Sequence, residues 1–94
     1  DADLVITGEG KLDWQTAYNK APVAVAHRAA ARSIPVLGVA GSLGSGWRGL
    51  YKEGFTVLSS MVSTSVGMDD AMAAPEEHLA NATVWGLRRL RATL

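Results

Sequence analysis

The residue types best suited to chemistry lie together, directly after the first apolar run of the chain. They are two carboxylates, two lysines and two hydrogen-bonding side chains: Glu9, Asp13, Lys11, Lys20, Gln15 and Thr16. Carboxylates can hold Mg²⁺ or orient a hydroxyl group, and lysines neutralise negative charge on a ligand. Gly8 and Gly10 lack side chains and let a ligand approach the backbone closely. This combination indicates a site for a small anionic molecule.

Each of these side chains also has a purely structural interpretation. Asp13 can cap a helical turn that begins near Trp14, because an Asp oxygen accepts bonds from the free N–H groups of a helix start. Lys11 and Lys20 can be solvated charges of a loop. Lys20 also lies just before a predicted helix, where unpaired N–H groups favour an anion. The residue types alone leave both interpretations open.

Three short apolar runs predict the strands that position this segment, at residues 4–7, 36–40 and 55–58. Helices are predicted at residues 22–32 and 47–53 and from Pro75 to the end of the chain. Polar loops are predicted at residues 8–20, 41–49 and 59–67, and a helical turn at Asp69 and Asp70. Apolar strands that alternate with helices predict an α/β fold, with a parallel sheet between two helical layers.

The last predicted helix has the clearest pattern. Pro75 suits its first turn, acidic residues follow, and arginines crowd its end. One apolar face is predicted from residues at helical spacing: Leu79, Thr83, Leu87, Leu90 and Leu94.

The carboxyl ends of the predicted strands give the expected location of a site. Ligands of parallel α/β sheets bind outside these ends. All three predicted loops follow such ends and are rich in Gly, Ser and Thr. Gly41 and Ser42, which follow the second strand, therefore join the candidate ligand contacts.

The run Thr7-Gly8-Glu9-Gly10-Lys11-Leu12-Asp13, followed by Gln15, Thr16, Lys20 and Pro22, is the most distinctive feature of the sequence. It resembles the signature of the bacterial-type glycerate kinase family, Thr-Gly-Glu-Gly-Arg/Lys-Leu-Asp-x-Gln-Thr/Ser-x-x-Gly-Lys-x-Pro. The stretch from Pro35 to Leu43 and the stretch from Met68 to Met72 are similar to later parts of that family. One departure is Asn19, which stands where the family usually has glycine.

The resemblance implies a Rossmann-like domain whose chain is interrupted by a second domain, with the active site between the two. Residues 1–94 would be the C-terminal segment of the first domain, without its N-terminal part or the inserted domain. The start at Asp1-Ala2-Asp3, without Met, also suggests a cut inside a larger protein. We therefore expect the chain alone to be inactive, because part of the active site would be missing.

The implied reaction is ATP-dependent phosphorylation of D-glycerate, giving 2-phosphoglycerate, with Mg²⁺ as cofactor. On this resemblance Asp13, Glu9 and Lys20 are the candidate catalytic residues, and Asp13 is also the candidate metal ligand. The candidate substrate contacts are Gly8, Gly10, Lys11, Gln15, Thr16, Gly41 and Ser42.

The composition argues against several other classes of protein. Nine Lys and Arg balance nine Asp and Glu, so the sequence lacks the basic excess that a nucleic-acid partner requires. The absence of cysteine excludes disulfides and thiolate metal sites and fits a cytoplasmic protein. The apolar runs are shorter than a membrane span, so no membrane partner is expected.

Other motifs give weaker signals. Gly44, Gly46 and Gly49 match the pattern G-x-G-x-x-G, but they do not directly follow the predicted strand. No acidic residue stands about 20 positions later, so a dinucleotide site is not expected there. His27 and His78 lack the spacing of metal ligands.

A non-catalytic α/β assembly module is the alternative. Apolar residues make up 48% of the chain. Surface that other parts of a larger protein would cover could then drive homodimerisation.

Overall fold

The computed structural model describes residues 3–18, 20–63 and 65–94. Three strands are present: β1 (Val5–Leu12), β2 (Val36–Leu43) and β3 (Val57–Ser60). The α-helices are α1 (Lys20–Ala31), α2 (Met68–Ala73) and α3 (Pro75–Thr93), and two 3₁₀ helices are η1 (Trp14–Tyr18) and η2 (Trp47–Glu53). None of the helices in these ranges is long and apolar enough to cross a bilayer.

The strands form one parallel sheet in the order β1-β2-β3. Val5 pairs with Val36 at one end of the first ladder, and Leu12 pairs with Leu43 at the other. The central strand β2 is buried from Val36 through Ala40, as its continuous apolar sequence predicts. The predicted α/β class with parallel strands is confirmed.

The first two strands are longer than predicted. β1 continues through Glu9 and Lys11, which pair with Ala40 and Ser42, so residues 8–12 are strand and not loop. Gly8 and Gly41, interpreted as strand ends, lie inside the ladder because two extended segments satisfy each other's backbone groups whatever their side chains.

The third strand begins later than predicted. Val57 is its first paired residue, although Phe55 is also buried. Thr56, directly before β3, bonds to Val36 in two ways. Its hydroxyl oxygen accepts from the Val36 N–H at 3.0 Å, and its own N–H donates to the Val36 carbonyl at 2.9 Å.

Helices cover both faces of the sheet, which gives three layers. α1 and η2 enclose one core, which contains Leu12, Ala26, Ala29, Val36, Ala40, Leu50, Phe55 and Leu58. α3 covers the opposite face, where the buried residues are Leu37, Val39, Val57, Ala82 and Leu90. Neighbouring residues of β2 and β3 point into opposite cores, as the pleat of a strand requires.

The buried face of α3 differs from the predicted leucine stripe. Ala82, Gly86 and Leu90 face the sheet, whereas Leu79 and Leu87 are exposed at 47% and 36%. A Cβ on Gly86 would lie only 2.6 Å from the Leu37 Cδ1 atom. Small residues therefore set the contact, because they let the helix axis approach the sheet more closely than leucines would.

Candidate functional site

The carboxyl edge of the sheet brings the first two candidate segments together. β1 ends at Leu12 and β2 at Leu43, and these two residues are paired. The same register places Glu9 opposite Ala40 and Lys11 opposite Ser42. Glu9, Asp13 and Ser42 are half-buried, and Lys11 is exposed. Glu9, Lys11, Asp13 and Ser42 thus lie close to one another near the ends of these two strands.

Asp13 is held in place by a reciprocal cap at the start of η1. Its Oδ1 atom accepts a hydrogen bond from the Gln15 N–H at 2.9 Å, and its own N–H donates to the Thr16 Oγ1 atom at 3.0 Å. The capping role is therefore correct, but it uses one carboxylate oxygen. Within the described part of the chain, Oδ2 accepts no hydrogen bond. The cap fixes the orientation of the carboxylate and leaves one oxygen for a ligand.

The loop between β2 and η2 packs directly on Asp13 and its neighbours. The Gly44 N–H donates to the Leu12 carbonyl at 2.7 Å, and the Trp14 N–H donates to the Ser45 carbonyl at 2.9 Å. A Cβ on Gly44 would lie 2.6 Å from the Lys11 Cε atom and 3.0 Å from the Asp13 Cβ atom. Gly44 therefore lies between these two side chains.

The same packing explains Gly46, the second glycine of the G-x-G-x-x-G pattern, as well as Gly44, the first. Gly46 has φ 74°, and a Cβ there would lie 2.7 Å from the Trp14 Cβ atom. Gly44 and Gly46 thus serve the contact between two loops. The packing accounts for these glycines without any dinucleotide.

The glycines of the candidate site fall into two groups. A Cβ on Gly10 would meet no atom within 4 Å, and one on Gly8 only the Val39 carbonyl oxygen at 3.9 Å. A Cβ on Gly41 would lie 2.7 Å from the Gly10 carbonyl oxygen. Internal packing therefore accounts for Gly41 but not for Gly8 or Gly10, whose exposed positions leave room for a close approach.

The other candidate residues differ in exposure and in whether their side chains already bond within the protein. Gln15 is exposed, whereas Thr16 is buried and its hydroxyl accepts the Asp13 N–H. Lys20 begins α1, but its side chain, like residue Asn19, lies outside the described part of the structure. Ligand contacts by these residues remain predictions.

A groove beside this edge contains residues that the sequence analysis did not select. It has a volume of about 590 Å³ and lies between the segment after β3 and one face of α3. The helix contributes four large side chains, His78, Asn81, Trp85 and Arg89. Their spacing of three or four residues is the signal that could have found them, since it places them on one helical face.

The carboxylates of the site do not form a complete metal cage. Nowhere in residues 3–18, 20–63 and 65–94 do three or more His, Cys, Asp or Glu side chains come together as metal ligands. Mg²⁺ is commonly held by one or two carboxylates together with phosphate oxygens. The available Oδ2 atom of Asp13 fits that mode, in which the ion arrives with a phosphorylated ligand.

Comparison with known proteins identifies similar chains. The model of the glycerate kinase family matches residues 1–90. The chain is 42% identical to a glycerate kinase of Halalkalibacterium halodurans over 87% of its length, and 42% identical to that of Bacillus subtilis over 84%. It is 33% identical over its whole length to a glycerate 2-kinase of Escherichia coli. No solved structure matches.

The matched region is a small part of each relative. It spans 22% of the Halalkalibacterium protein, 21% of the Bacillus protein and 24% of the Escherichia protein. The chain therefore spans about a fifth of the length of these relatives.

Proposed function

The chain belongs to the glycerate kinase family, and on that premise we propose that it forms one wall of the active site of an ATP-dependent glycerate kinase. Its substrates would be D-glycerate and ATP with Mg²⁺, and its location the cytoplasm. Transfer to the 2-hydroxyl, giving 2-phosphoglycerate, is supported by the name of the Escherichia coli relative, a glycerate 2-kinase.

The observation that carries this proposal is the fixed carboxylate of Asp13 at the carboxyl edge of the sheet. Phosphoryl transfer depends mainly on positioning and on neutralising charge on the phosphate oxygens. Asp13 Oδ2 would hold Mg²⁺ bound to the nucleotide phosphates, and that ion would neutralise the charge on them. The Gln15 N–H donates to the other oxygen, Oδ1, and the Thr16 hydroxyl accepts the Asp13 backbone N–H, so the carboxylate is positioned before the reaction.

The other candidate residues have supporting roles in this proposal. Lys11 is exposed beside Gly44 and would pair with a carboxylate or phosphate oxygen of a substrate. Glu9, half-buried in the second half of β1, would orient the hydroxyl group that accepts the phosphoryl group. Lys20, at the start of α1, would supply a second cation.

The substitution Asp13→Asn tests the role of the charge separately from the role of the cap. An Asn oxygen can still accept the Gln15 N–H, so the fold should be retained. We expect kcat to fall about 100-fold or more in the protein at its full native length. The measurement is a coupled assay with ATP and D-glycerate, together with a thermal melt. Asp70→Asn, an exposed acid on α2, is the control.

Normal turnover by Asp13→Asn would contradict the proposed role of Asp13. Absence of any phosphorylation of D-glycerate by the wild-type protein would contradict the activity itself. The assembly alternative has no supporting observation in the described residues, and homodimerisation is not proposed.

A further inference from the structure

The groove beside α3 lies next to the proposed catalytic edge, and none of the residues given a role above lines it. Its lining includes Leu58 and Ser59 of β3, together with Leu43 and Trp47. Leu43 pairs with Leu12, the residue before Asp13. The groove therefore reaches the end of the β1–β2 ladder that Asp13 directly follows.

The described lining of the groove carries no negative charge that would repel an anionic ligand. Among its described lining residues, Arg89 is the permanently charged side chain, and no carboxylate is present. The Arg89 Nη1 atom donates to the Leu58 carbonyl at 3.4 Å, and its guanidinium carbon lies 4.8 Å from the centre of the Trp85 ring. These contacts hold the positive charge at the groove.

The shape and chemistry of the walls favour a flat heterocycle. Trp47, Met61, Val62 and Trp85 provide apolar surface, which suits the faces of an aromatic base. Asn81 lines the groove, and within the described part of the chain its amide makes no hydrogen bond. An amide offers a donor and an acceptor side by side, which is the pattern that matches the N6 and N7 edge of adenine.

We propose that this groove binds the base and ribose of the phosphoryl donor, a purine nucleotide, and directs its phosphates toward Leu43 and Asp13. Asn81 would bind the edge of the base and Trp85 would cover one of its faces. The hydroxy acid would then occupy the part of the edge near Glu9 and Lys11. The inference rests on the proposed function for the identity of the donor.

Binding measurements on the protein at its full native length test this assignment. The probes are a non-hydrolysable ATP analogue and inorganic tripolyphosphate, which has the phosphates but no base. We expect Asn81→Ala and Trp85→Ala each to weaken binding of the analogue about tenfold by calorimetry. Binding of tripolyphosphate and of D-glycerate should change less than about twofold. Arg88→Ala, on the same helix but outside the groove, should change none of them.

Several results would overturn the assignment. If both variants fold correctly and bind the analogue with unchanged affinity, the base does not bind in this groove. The assignment also fails if the wild-type protein does not bind the analogue. Equal weakening of analogue and tripolyphosphate would place phosphates there instead, and selective loss of D-glycerate binding would place the hydroxy acid there.

The outcome is separable from that of the proposed function. If the wild-type protein binds the analogue through Asn81 and Trp85 but does not phosphorylate D-glycerate, the groove assignment holds and the proposed reaction fails. If it phosphorylates D-glycerate and both variants keep the wild-type KM for ATP, only the groove assignment fails.

Discussion

Asp13 combines two roles that are usually alternatives. One of its oxygens caps η1, and the other is available at the carboxyl edge of the sheet. A carboxylate that only capped the helix could be replaced by Ser or Thr at small cost. The available oxygen, Oδ2, is what separates Asp13 from an ordinary helix cap. Its proposed role as a ligand depends on how firmly the bond from the Gln15 N–H to Oδ1 holds the side chain.

The hydroxyl of Thr16 should contribute to stability and to catalysis through Asp13. It is buried and accepts the Asp13 N–H, so Thr16→Val would leave that N–H without its partner. We expect the free energy of unfolding to fall by about 1–3 kcal/mol, as measured by urea denaturation. We also expect kcat to fall while the KM for ATP changes little, because the carboxylate is less well oriented.

Thr16→Ser is the matched variant, since it keeps the hydroxyl and removes only a methyl group. It should retain most of the stability and the activity. A Thr16→Val protein as active as the wild type would show that the cap does not position Asp13.

Local interactions at this scale could be predicted from the sequence. The cap at Asp13 follows from an Asp placed just before a helical turn, a contact between near neighbours in the chain. The tight positions of Gly44 and Gly46 could not be predicted, because their partners Lys11 and Trp14 belong to a distant segment. A glycine pattern alone does not show whether a ligand or another loop fills the space.

At the scale of elements, α3 depends on small residues where it crosses the sheet. Gly86→Val would place a branched side chain against Leu37 and Ser59. Even its Cβ atom alone would lie 2.6 Å from the Leu37 Cδ1 atom and 3.2 Å from the Ser59 Cβ atom. We expect the free energy of unfolding to fall by about 1–3 kcal/mol from overpacking. Chemical denaturation monitored by circular dichroism measures the change.

Ala80→Val on the exposed side of α3 is the control, since it introduces the same side chain away from the sheet. It should cost only a few tenths of a kcal/mol. Equal effects of the two substitutions would show that α3 does not need close contact at Gly86.

The elements themselves were largely predictable, and their ends and faces were not. Continuous apolar runs predict the three parallel strands, and Pro75 predicts the start of α3. The extension of β1 through Leu12 depends on pairing with β2, which no local signal reports. The predicted face of α3 is correct at Leu90 and wrong at Leu79 and Leu87. Large apolar residues indicate a core position more strongly than Ala and Gly do, although here Ala82 and Gly86 make the contact.

At the scale of the whole molecule, the chain presents its candidate site on an open edge. It spans about a fifth of the length of its relatives, and Ile6 on β1 is 50% exposed. The sheet edge at β1 and the space above Gly8 and Gly10 are open in the described part of the chain. A kinase site excludes water during transfer, so further residues are expected to enclose it.

We therefore expect the 94-residue chain alone to be inactive with ATP and D-glycerate, even when it is folded. A coupled assay at high protein concentration measures this, and a circular dichroism melt shows whether the chain is folded. Turnover dependent on Asp13 would mean that these residues already form a complete site.

The clamping of the β2–η2 loop against η1 has a consequence for engineering. Surface loops usually accept added residues, but this one is bonded at Gly44 to Leu12 and at Ser45 to Trp14. A residue inserted here would displace Asp13 as well as lengthening the loop. Tags or sensors are better placed in the exposed turn at Arg32 and Ser33, which joins α1 to β2 at the opposite end of the sheet.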